Sequence, residues 1–269
     1  MATSNSLNQV LRKLDEPRVI AMLAIVFLVF GFGLAWAAES PTLLYARKEF
    51  AARKEAYLAS PTNSLLTWQF ARACFDLGEF ATNSEQRASL ANSGIQAARA
   101  LLTSEPDLAV AHYYLGMNLG QLARTKFLGA LELVKEMERS FKRAQALDES
   151  LDHAGPDRCL GLLYFQAPGW PTSVGSRSKA RLHLQRALHL QPDYPENHLN
   201  LLEAWMKWGD TKLVREAMAK ASNVVTAAKT NLIGEAWLAS WEDWDRRWRV
   251  LQAKVADLER AGEKTQHRR

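Results

Sequence analysis

The chain has 269 residues, 48% of them hydrophobic and 23% charged, which excludes global disorder, collagen-like repeats and low-complexity fibres. Its two cysteines cannot build a disulfide framework or a four-cysteine zinc site. The formal net charge is +5, but the two ends of the chain carry most of it, so the body is nearly neutral. A neutral body lacks the broad basic face that a phosphate backbone requires, and nucleic acid is excluded as a partner.

The first element is an N-terminal membrane signal. Residues 1–18 are polar and hold Arg12, Lys13 and Arg18, and the run from Val19 to Ala37 is apolar and uncharged. Nineteen residues at ~1.5 Å rise nearly span a ~30 Å hydrocarbon core, which fits a transmembrane anchor. Ala35-Trp36-Ala37 followed by Ala38 fits a cleaved secretory signal equally well. In both readings residues 1–37 direct the remainder across a membrane. The expected location is the cell envelope, either periplasmic or anchored in the inner membrane.

Beyond residue 38 helical periodicity dominates and strand signals are almost absent. Ser40-Pro41 reads as an N-cap followed by proline at the first helical position, which opens an introductory helix within 38–60. Residues 61–222 then repeat a two-helix pattern. The clearest copy has Leu160, Gly161 and Tyr164 in its first helix, then Ala180, Leu184, Ala187 and a closing Pro192 in its second. Leu201, Trp205 and Gly209, then Val214, Met218 and Ala221, form the next. Leu115, Gly116 and Leu119, then Phe141 and Ala144, form the one before. The first and weakest copy has Ala71, Cys74 and Gly78, then Ala97, Ala100 and Pro106. Two copies carry insertions between their helices, around 127–133 and around Pro168-Gly169-Trp170-Pro171.

These spacings are those of the tetratricopeptide repeat (TPR). Small residues let paired helices approach, large ones fill the gap to the next pair, and the proline ends each unit. One unit cannot bury its own apolar face, so the copies must stack. The predicted fold is all-α, a TPR-like right-handed superhelix of about four helix pairs with a C-terminal cap at 223–259. In that cap Trp237, Trp241, Trp244, Trp248, Leu251, Val255 and Leu258 lie on one face. The stripe closes the solenoid or, less simply, forms a coiled-coil seam. Residues 260–269 read as a flexible basic tail.

Two longer stretches carry a narrower likeness. One is Ala111 to Gly120, the other Leu160 to Pro171, continuing through Ser173-Val174-Gly175, Lys179-Ala180 and Pro192 to Leu199. Together they resemble the T-component proteins associated with TRAP transporters (the TatT-like family), over about residues 60–222. The resemblance implies an envelope-side TPR-like protein that partners a TRAP solute-binding subunit, with a small hydrophobic or organic-acid ligand. The chain departs from the lipoprotein members of that family in having no cysteine near its signal end.

In a TPR stack the first helices line the concave face. That register places Trp68, Arg72 and Asp76, then Tyr113, Met117 and Gln121, then Arg158, Leu162 and Phe165, then Leu199, Glu203 and Lys207 in the groove. This mixture suits a protein segment or an amphipathic small ligand, or else a solvated groove whose charges pair internally. Asn118 and Asn197 stand inside apolar helices, where an amide either bonds a neighbouring carbonyl or meets a ligand. The Trp170 loop either closes over the groove or packs on the next repeat. Cys74 and Cys159 are expected buried and unbridged. No metal-binding pair of histidines, phosphate loop or set of acid, base and nucleophile is found, so no cofactor is expected and the reading is a non-enzymatic binding protein or, alternatively, a membrane-tethered scaffold for envelope assembly or secretion complexes.

Overall fold

The computed structural model describes residues 39–126 and 129–266. The apolar run at 19–37 lies outside them, as do the signal and anchor readings built on it. Among the described residues no helix is long and apolar enough to cross a membrane.

Helix α1 (Pro41–Ala59) starts where the sequence places it, with the Ser40 hydroxyl accepting from the Leu43 amide at 3.2 Å. Four helix pairs follow: α2 (Ser64–Gly78) with α3 (Ser84–Ser104), α4 (Ala109–Ala123) with α5 (Ala130–Leu147), α6 (Leu151–Gln166) with α7 (Arg177–Leu190), and α8 (Pro195–Trp208) with α9 (Thr211–Asn231). A short 3-10 turn, Glu235–Trp237, leads into α10 (Leu238–Gln266). Asn63 and Asn83 cap α2 and α3 through their side-chain oxygens, and Gly209 ends α8 in the left-handed conformation at φ +78°. The described residues thus form an all-α, TPR-like fold.

Packing follows the small-against-large rule. A Cβ on Gly116 would meet the Phe141 ring at 2.5 Å, and one on Gly161 would meet Leu184 at 2.7 Å. Asn118 is fully buried and donates to the Ala71 carbonyl at 2.9 Å and the Tyr114 carbonyl at 2.8 Å, so it ties α4 to α2. Successive first helices are neighbours: α2 packs on α4, α4 on α6 and α6 on α8. They form the inner layer.

Three details differ from the expectation. The insertion after α4 is partly absorbed into α5, which already begins at Ala130. Residues 223–231 belong to α9 rather than to the cap. Helix α10 continues to Gln266, through residues that composition alone assigns to a tail. Its length also changes what it does. Besides covering the last repeat through α8, α10 reaches α1, and so does the 3-10 turn before it.

Candidate functional site

The meeting of the first and last helices leaves a cleft of about 860 Å³. Helix α1 supplies Thr42, Tyr45, Glu49 and Arg53, and α2 supplies Trp68, Arg72, Phe75 and Asp76. Glu235 from the 3-10 turn, and Glu242, Asp243, Trp244 and Arg246 from α10, face them. Glu196 enters from α8, and Glu79 and Phe80 from the end of α2. The lining therefore holds seven carboxylates against three arginines, with aromatic rings between them. The volume lies in the ~300–1,000 Å³ range of ligand sites.

Most of these charges are already engaged. Glu49 pairs with Arg53 at 3.0 Å, Arg72 with Asp76 at 3.4 Å, Glu79 with Arg124 at 3.0 Å, and Asp243 with Arg247 at 3.1 Å. Glu196 lies 3.6 Å from the buried Arg158. Among the described residues the Glu242 carboxylate accepts only from the Thr42 hydroxyl, at 3.3 Å, and the Glu235 carboxylate has neither an ion pair nor a hydrogen bond, while the Glu235 backbone carbonyl accepts from the Leu238 amide. Burial pushes the Asp76 carboxyl up to about 6 against the pull of Arg72. Burial also raises the Tyr45 phenol, and Glu49, Asp76 and Glu235 add to that. Trp68 stacks on Tyr114 with ring centroids 6.0 Å apart, which makes a rigid aromatic wall.

Behind Glu196 the chain adopts an uncommon backbone. Asp152, His153 and Ala154 are all left-handed, at φ +49°, +56° and +62°. Such a conformation costs roughly 1–2 kcal/mol per non-glycine residue and needs support. Arg158 supplies it by donating to the His153 carbonyl at 3.0 Å and to the Asp152 carbonyl and carboxylate at 3.1 and 2.8 Å. Asn197 donates to the His153 carbonyl at 3.1 Å, the Tyr113 hydroxyl donates to Asp152 at 2.6 Å, and the His153 ring stacks on Tyr194 at 4.2 Å. Burial opposes the charge of Arg158, but Glu196, Tyr113 and Asp152 outweigh it and hold the guanidinium well above its ordinary value. Helical backbone resumes at Gly155, and Pro156 follows within the first turn, where a proline needs no amide partner.

The structure sorts the sequence-derived candidates accordingly. Trp68, Arg72 and Asp76 line the cleft. Tyr113, Asn118, Arg158 and Leu199 are buried at 4% exposure or less, so they act through packing and hydrogen bonds and have almost no surface to offer a ligand. Met117 is half-buried beside the Cys159 sulfur, 3.5 Å away. Phe165 packs edge-on against Trp208 at 5.6 Å. Glu203 is covered by α10, which holds it with Arg247 at 2.7 Å. Trp170 is 88% exposed and lies outside the cleft lining, on a loop closed by the Gly175 amide donating to the Pro168 carbonyl. It neither covers the cleft nor packs on a repeat. Cys74 and Cys159 are unbridged, and burial pushes both thiols up to about 12.

Periodicity missed Tyr45, Glu196, Glu235, Glu242 and Arg246 as parts of one site. Glu196 stood within a flagged motif and Glu242 beside the tryptophan stripe, but no spacing rule links either to α1.

One of the comparisons with known proteins bears on the fold. Residues 44–153, less than half of the chain, match the family model described as RMD1-3, regulator of microtubule dynamics protein 1-3. No curated protein matches the sequence. Among solved structures, a thermophilic TPR protein from Thermus thermophilus is similar at 20% identity and TM-score 0.57, over 79% of this chain and 95% of that one. The structure of MamA has 17% identity and TM-score 0.46 over 75% of this chain and 99% of that one. The likeness in the first case is one of TPR architecture. The T-component resemblance rests on its sequence motifs alone.

Proposed function

We propose that this chain is a non-enzymatic scaffold that receives a segment of a partner protein in the cleft between α1–α2 and α10. TPR-like folds suit such a role, because stacked helices present a preformed surface to an extended or helical segment. One observation supports it most: a cleft of about 860 Å³ assembled from both ends of the repeat array, with aromatic walls and ordered ion pairs. An organic-acid ligand would meet seven carboxylates there, so a protein segment fits better than that small molecule.

The first partner to test is a TRAP solute-binding subunit, on the strength of the motifs at 111–120 and 160–199. That pairing requires the repeats on the outer side of the membrane, where the apolar run at 19–37 would deliver them. The match over 44–153 supports a second reading, a role in microtubule dynamics.

A photo-reactive amino acid at position 45 or 68, activated in native cells, tests both. Capture of a TRAP subunit supports the first reading. Capture of tubulin, with co-sedimentation on microtubules, supports the second. Absence of any captured partner from either position overturns the docking role of the cleft.

A further inference from the structure

The lining of the cleft says more about its occupant than the fold does. Two of its carboxylates, Glu235 and Glu242, lack a basic partner among the described residues, and both belong to the closing segment rather than to the repeats. The rings of Tyr45 on α1 and Trp68 on α2 line the same cleft. Carboxylate on one wall and aromatic face on the other is an arrangement that accommodates a cation twice over. The acid provides charge-assisted hydrogen bonds, and the ring provides cation–π attraction within about 6 Å. An acidic guest would add negative charge to an already acidic cleft, and a wholly apolar guest would bury both carboxylates unpaired, which is costly.

The arginines of the lining do not reverse this. Arg53 and Arg72 are held by Glu49 and Asp76, and Arg246 is bonded to Asp243. The remaining surplus is therefore negative and localised. Both carboxylates are also exposed, so no buried network must break for a guest to reach them.

We infer that the segment taken up by this cleft is basic: a stretch of a partner protein presenting lysine or arginine side chains to Glu235 and Glu242, with their aliphatic stems against Tyr45 and Trp68. The inference rests on the docking role proposed above. It names the chemistry of the docked segment and predicts which residues select it.

The test uses the full chain in detergent and two fluorescein-labelled heptapeptides, one alternating lysine with leucine and one alternating glutamate with leucine. Fluorescence polarisation should show the lysine peptide binding at least about tenfold tighter than the glutamate peptide, weakening as salt shortens the screening length. A Glu235→Gln/Glu242→Gln double variant should lose about tenfold in affinity for the lysine peptide, consistent with the strength of charge-assisted contacts. Tyr45→Ala should weaken it severalfold. Thermal melts check that the variants are folded, and both glutamates are exposed enough for the double variant to remain so. Equal binding of the two peptides, no binding of the lysine peptide, or unchanged binding by the double variant would overturn the inference. The cross-linking from position 45 keeps the two proposals apart. A captured partner whose cross-linked segment is acidic leaves the docking role standing and sinks the charge assignment, whereas no captured partner at all sinks the docking role itself.

Discussion

The second repeat and the last one bury their inner faces by different means. In the second, α4 sits between copies of the same unit. Gly116 takes the Phe141 ring, and Asn118 reaches the Ala71 carbonyl. The last repeat has no following copy. Its inner face, at Leu199 and Glu203, is covered by a helix that is not part of the repeat, through Trp244 and Arg247. Interior repeats can rely on one small-to-large rule because each neighbour presents the same surface. An end must be closed by bulk and by charge pairs, and here the closing helix also reaches back to α1 and builds the cleft. The site therefore belongs to the exception in the array, not to its repeats.

The strongest way to break this comparison is to remove the bulk. Trp244 is 2% exposed and meets Tyr194 edge-on at 5.4 Å. Trp244→Ala should cost about 3–5 kcal/mol in chemical denaturation. If α10 is only a cover, amide exchange should rise in α8, α9 and α10 while α2 to α5 stay protected. Equal loss of protection everywhere would mean that closure and array fold as one unit.

Overpacking the repeat tests the other side. Gly116→Ala places a methyl group against Phe141 and should cost about 1–3 kcal/mol. Because this contact is internal to the array, its loss should lower the denaturation midpoint for the repeats first. A change confined to α10 would contradict the division.

A smaller effect sharpens the electrostatic difference. The Asp76 carboxyl is raised from 3.8 to about 6, so the folded state binds its proton more tightly than the unfolded state does. That contribution to stability is present below about pH 4 and is lost as pH rises through about 6. At pH 7.5 the charged group works against folding, although its 46% exposure keeps the effect below about 1 kcal/mol. Asp76→Asn should therefore melt slightly higher than the wild type at pH 7.5 and equally at pH 4. Higher melting of the wild type at pH 7.5 would show that the Arg72 pair dominates.

The smallest expected effect concerns the loop. Trp170 is 88% exposed, and Trp170→Ala should change stability by no more than about 0.5 kcal/mol. A larger loss in a thermal melt would show that the indole packs in solution.

The legible part of the molecule is the part written locally. Ser40-Pro41, the small residues at 116 and 161, and the prolines at 106 and 192 each announce a helix start, a close approach or a stop within a few residues. The candidate site was legible only in part, as Trp68, Arg72 and Asp76 from the register of α2. Tyr113, Asn118 and Leu199 obey the same register yet are buried, because the left-handed turn, the neighbouring repeat and α10 respectively cover them. Periodicity says which way a side chain points along its own helix and nothing about what lies on top of it.

By itself, the sequence determined the helices, their pairing and the order of the repeats, since these follow from hydrophobic spacing and capping within about 40 residues. Only the tertiary structure decided where α10 ends up, that Thr42 would meet Glu242 across 200 residues of chain, and that residues 152–154 would be held left-handed by Arg158 and Asn197. Those outcomes depend on how several small rotations between helix pairs add up along the array. No single local pattern encodes that sum.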